Sequence, residues 1–465
     1  MKTILVLLIL IFDRISFSQT CSNLNFQLQS ETETTCFKQT MTMLHDRLGR
    51  DYLYVANKDD GLTIWDIQNL TSPNLVKQLS KLELGNLDAI NLSQQGDFVY
   101  VALGNTFNTN EASGMAIVNV SNPNNAFIED TFVLANSFGG SGIVETEGDF
   151  AYLGAMGNGL IILDISNKQN IQFISQFIPQ INWPDVNQDS LKVNARGMVI
   201  REDTVYLCYD AGGFRIIDVS QKFNPIEIGR YSNPIMNNLP RAYNNITIDG
   251  NLAYIAVDYC GLEILDFSNV NDIQLTGWWN PYDCPNNNWF SSPVHANEIR
   301  LNKNCSQIFL STGKSDMVVV DVSNPTMPDS CNFFGGISNN IGTWGVDVYE
   351  NKLFLSYICT FGIPFASNWS GFKAITMNEC SLDLYEIKNF EVKLFPNPTQ
   401  NILSVTSKFP IFEICIFQVD GKEIYKKEYD YINSIEIDME KHNFGRYLLE
   451  VKTNNGIEYL SFVKK

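Results

Sequence analysis

Asp66, Asp164, Asp218, Asp266 and Asp321 recur behind short apolar runs, and carboxylates in such a series invite a reading as metal ligands or catalytic acids. Their setting argues for a structural role. Each stands just before Ser-Asn or a similar turn, where the carboxylate can accept a backbone N–H bond two residues on, as Asn119 also can. A second aligned set comprises Asp88, Ser141, Arg196, Asn244, Asn297 and Trp344, with His295 and Glu298 adjacent. Asp88, Arg196, His295 and Glu298 form the one cluster that acid–base chemistry in a polysaccharide hydrolase or lyase could use. The aligned set holds one carboxylate, unlike the paired acids of glycosidases, and no GxSxG, HExxH, P-loop or EF-hand pattern occurs. Such a polar set could bind a sugar or peptide, but polar residues that simply wet a solvent-filled channel are the stronger expectation; no metal or cofactor is expected.

The elements that position these residues are repeats. GLTIWDI (61–67), GMAIVNV (114–120), GLIILDI (159–165), GFRIIDV (213–219), GLEILDF (261–267), DMVVVDV (316–322) and GFKAITM (371–377) align without gaps, at spacings of 53, 45, 54, 48, 55 and 55 residues. Ahead of each lies a strand with an aromatic column, Tyr54, Tyr100, Tyr152, Tyr206, Tyr254, Phe309 and Phe354. Two residues on, along the same strand face, runs a small column: Ala56, Ala102, Gly154, Cys208, Ala256, Ser311 and Ser356. Large and small residues at fixed offset suit tightly packed neighbouring sheets. An inner strand with Ile90, Ile143, Met198, Ile246, Ile299 and Val346 precedes them, and a fourth strand follows. Four strands in each period of roughly 50 residues, seven times over 41–379, predict a seven-bladed β-propeller in an all-β chain. Asp88, Arg196 and their companions then ring the mouth of the central channel.

Loop length selects a working face. The turns between strands one and two, and between three and four, are short. The long connections run Leu103 to Ser113, Ser137 to Ser141, Ile178 to Asn194, Ser232 to Ala242, Asn280 to Val294 and Cys359 to Ser370, and all emerge on the opposite face. Long loops on a rigid scaffold are where recognition concentrates. They carry Phe107, Trp183, Tyr282, Trp289, Phe290, Phe361, Phe365 and Trp369, which suit a protein interface or sugar stacking, or else pack over the core.

Ten cysteines without a C-x-x-C point to disulfides. Cys208 belongs to the small buried column and Cys415 stands alone. Topology pairs Cys305 with Cys331 and Cys260 with Cys284. If a strand around Phe26 to Gln29, within the segment 19–40, supplies the outermost strand of blade seven, Cys21 meets Cys380 and Cys36 meets Cys359. The competing arrangement joins Cys21 to Cys36 and Cys359 to Cys380.

The composition, 45% hydrophobic and 18% charged, fits a well-packed globular chain. A net charge of −19 argues against nucleic-acid or anionic-membrane partners, which need clustered Lys and Arg. Residues 1–18 read as a signal peptide: Lys2, the apolar run Ile4 to Phe12, then Ser16-Phe17-Ser18. No stretch reaches the roughly 18 apolar residues of a membrane span. After a linker at 380–391, residues 392–465 alternate in short segments with Asp-Gly and Asn-Asn-Gly turns, the pattern of a small antiparallel β-sandwich. Its charge is ten basic against ten acidic residues, so the −19 sits on the part before it.

Two families resemble these regions. MVVVDVSNP (317–325) is similar to the consensus of LVIVD-repeat proteins, predicted propellers of bacteria, with weaker agreement at Asn119 and Thr376. Phe395-Pro396-Asn397-Pro398, Val419-Asp420-Gly421-Lys422, the run from Gly445 through Tyr447 to Leu449, and Lys464-Lys465 resemble the type A C-terminal sorting domain of the type IX secretion system. That resemblance implies a Bacteroidota-type bacterium and type IX machinery as a partner. It also implies passage through periplasm and outer membrane, then release or attachment at the cell surface. The expected function is a secreted or cell-surface binding or adhesion module, with an extracellular protein or glycan as ligand.

Overall fold

Most blades are built from the same local decisions. The glycine that opens the third strand adopts a left-handed conformation, with φ of 76°, 73°, 79° and 80° at Gly61, Gly159, Gly213 and Gly261. A Cβ there would also meet the carbonyl oxygen of the neighbouring outer strand, at 2.1 Å for Gly61 and 2.3 Å for Gly261. In these four blades glycine meets both demands, whereas blade six opens the strand with Asp316 at a φ of 54°. At the far end of the strand the recurring acid turns the chain. The amides of Gln68, Ser121, Ser166, Ser220, Ser268 and Ser323 donate to Asp66, Asn119, Asp164, Asp218, Asp266 and Asp321 at 2.8–3.0 Å. These bonds hold the carboxyls of Asp164, Asp218 and Asp266 below their ordinary range.

The computed structural model describes residues 24–34, 39–105, 111–186, 192–313, 316–335, 342–359, 369–378, 392–418, 422–453 and 456–465. The expected signal peptide, Phe107, Phe361, Phe365, Cys21, Cys36, Cys380, Asp420 and Gly421 lie outside them. The described chain holds seven four-stranded antiparallel sheets and one five-stranded sheet. Blade one runs through Met43–His45, Tyr52–Ala56, Leu62–Asp66 and Asn74–Leu79. Blades two to six repeat this order over 89–133, 143–177, 197–231, 245–279 and 299–334. Blade seven takes Thr343–Tyr349, Lys352–Tyr357 and Ser370–Met377, and its outer strand is Phe26–Thr34 from the start of the described chain. A ring whose last blade borrows its outer strand from the other end of the sequence is held shut by that ladder. Each outer strand carries a register shift, as at Ile64/Trp65 and Ile264/Leu265, which increases the twist of the blade edge.

The core lies between blades. The aromatic column is at most 6% exposed and the small column is fully buried where its members appear among the buried residues, so each large ring packs beside the neighbouring sheet. The inner column is corrected in two blades. Ile90 falls in a register shift between Ala89 and Asn91, and Leu92 pairs with Val101; Val144, next to Ile143, pairs with Leu153. Leu92 and Val144 therefore stand level with Met198, which pairs with Leu207.

The chain divides into two units, 1–380 and 381–465. In the second, Ile402–Gln418 and Glu423–Asp438 are long strands whose mutual register shifts at Thr406/Ile411 and Ile411/Glu413. The first half of Ile402–Gln418 pairs with Lys393–Phe395, the second with Gly445–Thr453. The resulting curled sheet encloses Leu403, Val405, Ile414, Ile416, Ile437 and Leu449.

Candidate functional site

The inner strands bring Arg196, Asn244, Asn297 and Trp344 into one ring, completed by Thr42, Ile90 and Gly142. Asp88 and Ser141 stand elsewhere, because the register of blades two and three differs by the steps just described. Ser141 is buried and its hydroxyl bonds the backbone N–H and C=O of Gly114, both at 3.1 Å. The Arg196 guanidinium lies 5.6 Å from the centre of the Trp344 ring, a cation–π contact. Asn244 Nδ2 donates to the Ala296 carbonyl at 2.8 Å. The ring surrounds a cavity of about 20 Å³, room for about one water molecule and for no sugar.

Beneath the ring, charge is spent internally. Glu298 is buried, accepts a bond from Asn245 Nδ2 and lies 3.5 Å from Arg300 Nη1; burial pushes its carboxyl up. Arg300 Nε reaches Asp347 at 3.3 Å, and Arg47 and the His45 amide bond the same carboxylate. Against burial, which alone would raise it, Arg47 and Arg300 hold Asp347 below the ordinary range. Glu145 on blade three joins this cluster, with its carboxyl pushed up by burial to about 7.

Toward the long-loop face the mouth holds carboxylates that the aligned columns did not single out. Asp210 and Asp258 occupy equivalent turns between strands two and three, both at positive φ (48° and 28°), and each bridges the start of the next inner strand at Tyr243 or Ala296. They lie two residues beyond Cys208 and Ala256, so extending the small column by one more step on the same face finds them. Asp258 Oδ1 is 2.7 Å from His295 Nδ1, and Trp289 Nε1 donates to Oδ2 at 2.8 Å. Burial pushes the Asp210 carboxyl up to about 6, against the pull of Arg196 and a 3.0 Å bond from Asn194. Asp88 is buried beside Lys81 and Lys58, and burial, with Glu111 and Asp59 nearby, moves its carboxyl to about 6. Lys81 also reaches Glu111 at 3.3 Å and Asp59 at 3.4 Å.

The loop tryptophans are packed. Trp183 lies against the guanidiniums of Arg215 and Arg230, at 4.6 and 4.9 Å from its ring centre. Trp289 meets His295 and Phe290 edge-on, and Trp369 meets Tyr357 edge-on at 4.8 Å. Three buried charges explain how the loops are fixed. Arg215, Glu263 and Lys373 occupy the same third-strand position that Ile161 and Val318 hold in other blades. Arg215 donates to the carbonyls of Gln180 and Trp183 and forms a pair of bonds with Glu227. Glu263 accepts from Asn233 Nδ2 and the Tyr243 hydroxyl, both at 2.8 Å. Each of these two thus pins the loop that arrives from the preceding blade. Lys373 pairs with Asp316 and Glu31, both at 3.4 Å. A charged residue at a position that is Ala116, Ile161 or Val318 in other blades is the sequence signal for this device.

The connections between blades also carry exposed apolar side chains. Leu82, Phe138, Val186, Ile235 and Phe290, each more than half exposed, lie on five successive connections between blades.

In the second unit, Asn397 Oδ1 accepts from the Val463 amide at 3.0 Å, and Thr399 and Lys465 exchange a backbone bond at 2.8 Å. The Pro396–Pro398 stretch is thereby zipped to the strand that ends in Lys464 and Lys465. Tyr447, two residues after Gly445, stacks on Phe462 at 5.5 Å. The Gln418 amide donates to the Lys422 carbonyl at 2.9 Å. Cys415, Glu413 and Glu450 converge, but Lys452 Nζ already bonds Glu413 at 2.5 Å and Glu450 at 3.4 Å.

Of the described cysteines, Cys260 and Cys284 form a disulfide, Cys305, Cys331 and Cys359 are each disulfide-bonded, and Cys208 and Cys415 are free thiols.

Comparison with known proteins agrees with this geometry. Residues 49–80, 139–177, 194–233, 240–280 and 309–331 match the LVIVD repeat, and residues 393–465 match the secretion system C-terminal sorting domain. The chain is an LVIVD-repeat propeller with a type IX secretion sorting domain. That domain indicates export to the cell surface or secretion, and implies the type IX machinery as a partner. No curated protein matches the chain. Among solved structures, the β-propeller domain of Myceliophteria thermophila Cps50 (Swd1) aligns with 75% of this LVIVD-repeat chain and 99% of its own at 9% identity, with a TM-score of 0.52. Saccharomyces cerevisiae Sqt1 aligns with 93% of this chain and 99% of its own at 8% identity, with a TM-score of 0.46. At such identities the likeness concerns the fold alone. Among the described residues no helix is long and apolar enough to cross a membrane.

Proposed function

We propose that the exported propeller is a noncatalytic binding or adhesion module that meets an extracellular protein or glycan through its long-loop face. One observation carries this reading: exposed apolar side chains stand on five successive connections between blades. Such a face suits contact with a broad surface, because exposed apolar groups on fixed loops gain from burial while losing little conformational freedom. Arg196 and Trp344 contribute a polar and aromatic centre. The test combines a glycan array with pull-down of isolated surface proteins and polysaccharides, using the wild-type chain and Phe138→Ser/Phe290→Ser. Saturable binding without turnover, lost in the double variant, is the expected result. Absence of binding to every sugar and surface protein would overturn it.

A second reading, a polysaccharide hydrolase or lyase, is favoured by the Asp258–His295 pair beside Asp210. It requires turnover on the same sugars that Asp258→Asn abolishes; Glu298→Gln and Asp88→Asn test the residues first nominated for it.

A further inference from the structure

We propose that the opposite, short-turn face carries a second ligand site, between blades six and seven, for an oligosaccharide bearing a carboxylate. A cavity of about 730 Å³ opens there, within the span of about 300–1,000 Å³ typical of small-ligand sites. Its lining divides by chemistry. Leu24, Leu301, Val348 and Met377 supply aliphatic surface, suited to the C–H face of a sugar ring. Asn302, Asn304 and Asn351 also line it, and their side-chain amides make no hydrogen bond among the described residues. Each amide offers both donors and an acceptor, the combination that sugar hydroxyls need.

Two cations complete the wall. Arg300 commits Nε to Asp347 and Nη1 to the Ile299 carbonyl and Glu298, while Nη2 makes no hydrogen bond among the described residues. Among the described residues Lys303 pairs with the exposed Asp249, a surface pair that an arriving carboxylate can displace. Glu350 is the one carboxylate in that lining, beside Arg300 and Lys303. The disulfide at Cys305 and the bond from Val322 N–H to the Ser306 carbonyl, 2.9 Å, hold the turn that presents Lys303 and Asn304. A site fixed before binding loses less entropy when it is filled.

Calorimetric titration of the full chain with trigalacturonate, and with neutral galactotriose as control, tests the assignment. Asn304→Ala/Asn351→Ala changes two exposed side chains and leaves the buried ion cluster intact. Saturable 1:1 binding of the uronate is expected, at least tenfold weaker for the neutral sugar and at least tenfold weaker in the double variant. Affinity should be unchanged in Phe138→Ser/Phe290→Ser, which separates this site from the long-loop face. No uronate binding, equal binding of the two sugars, indifference to the asparagine variant, or loss in the loop variant would each overturn the proposal.

Discussion

Glu263→Gln should stabilise the propeller at alkaline pH and leave it unchanged in acid. Glu263 is fully buried, and its bonds to Asn233 and Tyr243 do not match the water it has lost. Burial pushes its carboxyl from 4.5 up to about 7, with Arg241 pulling weakly the other way. Because the folded group is the weaker acid, the folded state binds a proton more tightly than the unfolded chain. Stability is therefore greatest below about 4.5 and falls as pH rises toward 7. At about 1.4 kcal/mol for each tenfold difference in acidity, the loss above pH 7 comes to about 3 kcal/mol. Glutamine resembles the protonated acid in shape and neutrality, with a carbonyl oxygen to accept and N–H groups to donate. Denaturant midpoints of wild type and variant between pH 4.5 and 8.5 provide the assay. They should coincide at the acid end and separate progressively, with the variant more stable by up to about 3 kcal/mol. A variant less stable than wild type at pH 8, or an offset that does not change with pH, would refute the reasoning.

Three other outcomes follow from the same structure. Arg215→Met leaves Glu227 partly buried and unpaired and frees the carbonyls of Gln180 and Trp183; a destabilisation of about 3 kcal/mol is expected, with new proteolytic cleavage within 178–194 as the second readout. Asp218→Ala removes one turn bond on an exposed edge and should cost about 1 kcal/mol in thermal or denaturant unfolding while leaving ligand binding intact. Cys260→Ser/Cys284→Ser opens a closure spanning 24 residues and should cost about 3 kcal/mol in non-reducing unfolding, with no difference from wild type once both are reduced.

The blades were legible because their signals are local. Alternation along Tyr54–Ala56 or Tyr254–Ala256 sets which face is buried whatever lies beyond the strand, and the acid before each Ser-Asn turn finds its partner two residues away. The mouth of the channel was only half legible. Arg196, Asn244, Asn297 and Trp344 share a ring because their blades keep one register, whereas the shift at Ile90 and the adjacent apolar pair Ile143-Val144 displaced Asp88 and Ser141 by one or two positions. The tryptophans illustrate a different limit. Trp183 in a long loop looks available for a sugar until Arg215 and Arg230, distant in sequence, are found against its ring.

By itself the sequence determined the strands, their sevenfold repetition and the sorting domain, because each rests on residue patterns within a few positions of one another. Only the tertiary structure decided which groups remain available for a ligand. Burial, ion pairing and cavity volume arise between blades, where Glu298 meets Arg300, Asp258 meets His295, and Arg300 and Asn351 come to line one cavity. No spacing along the chain encodes such meetings, since they depend on which neighbouring blade arrives and in what register.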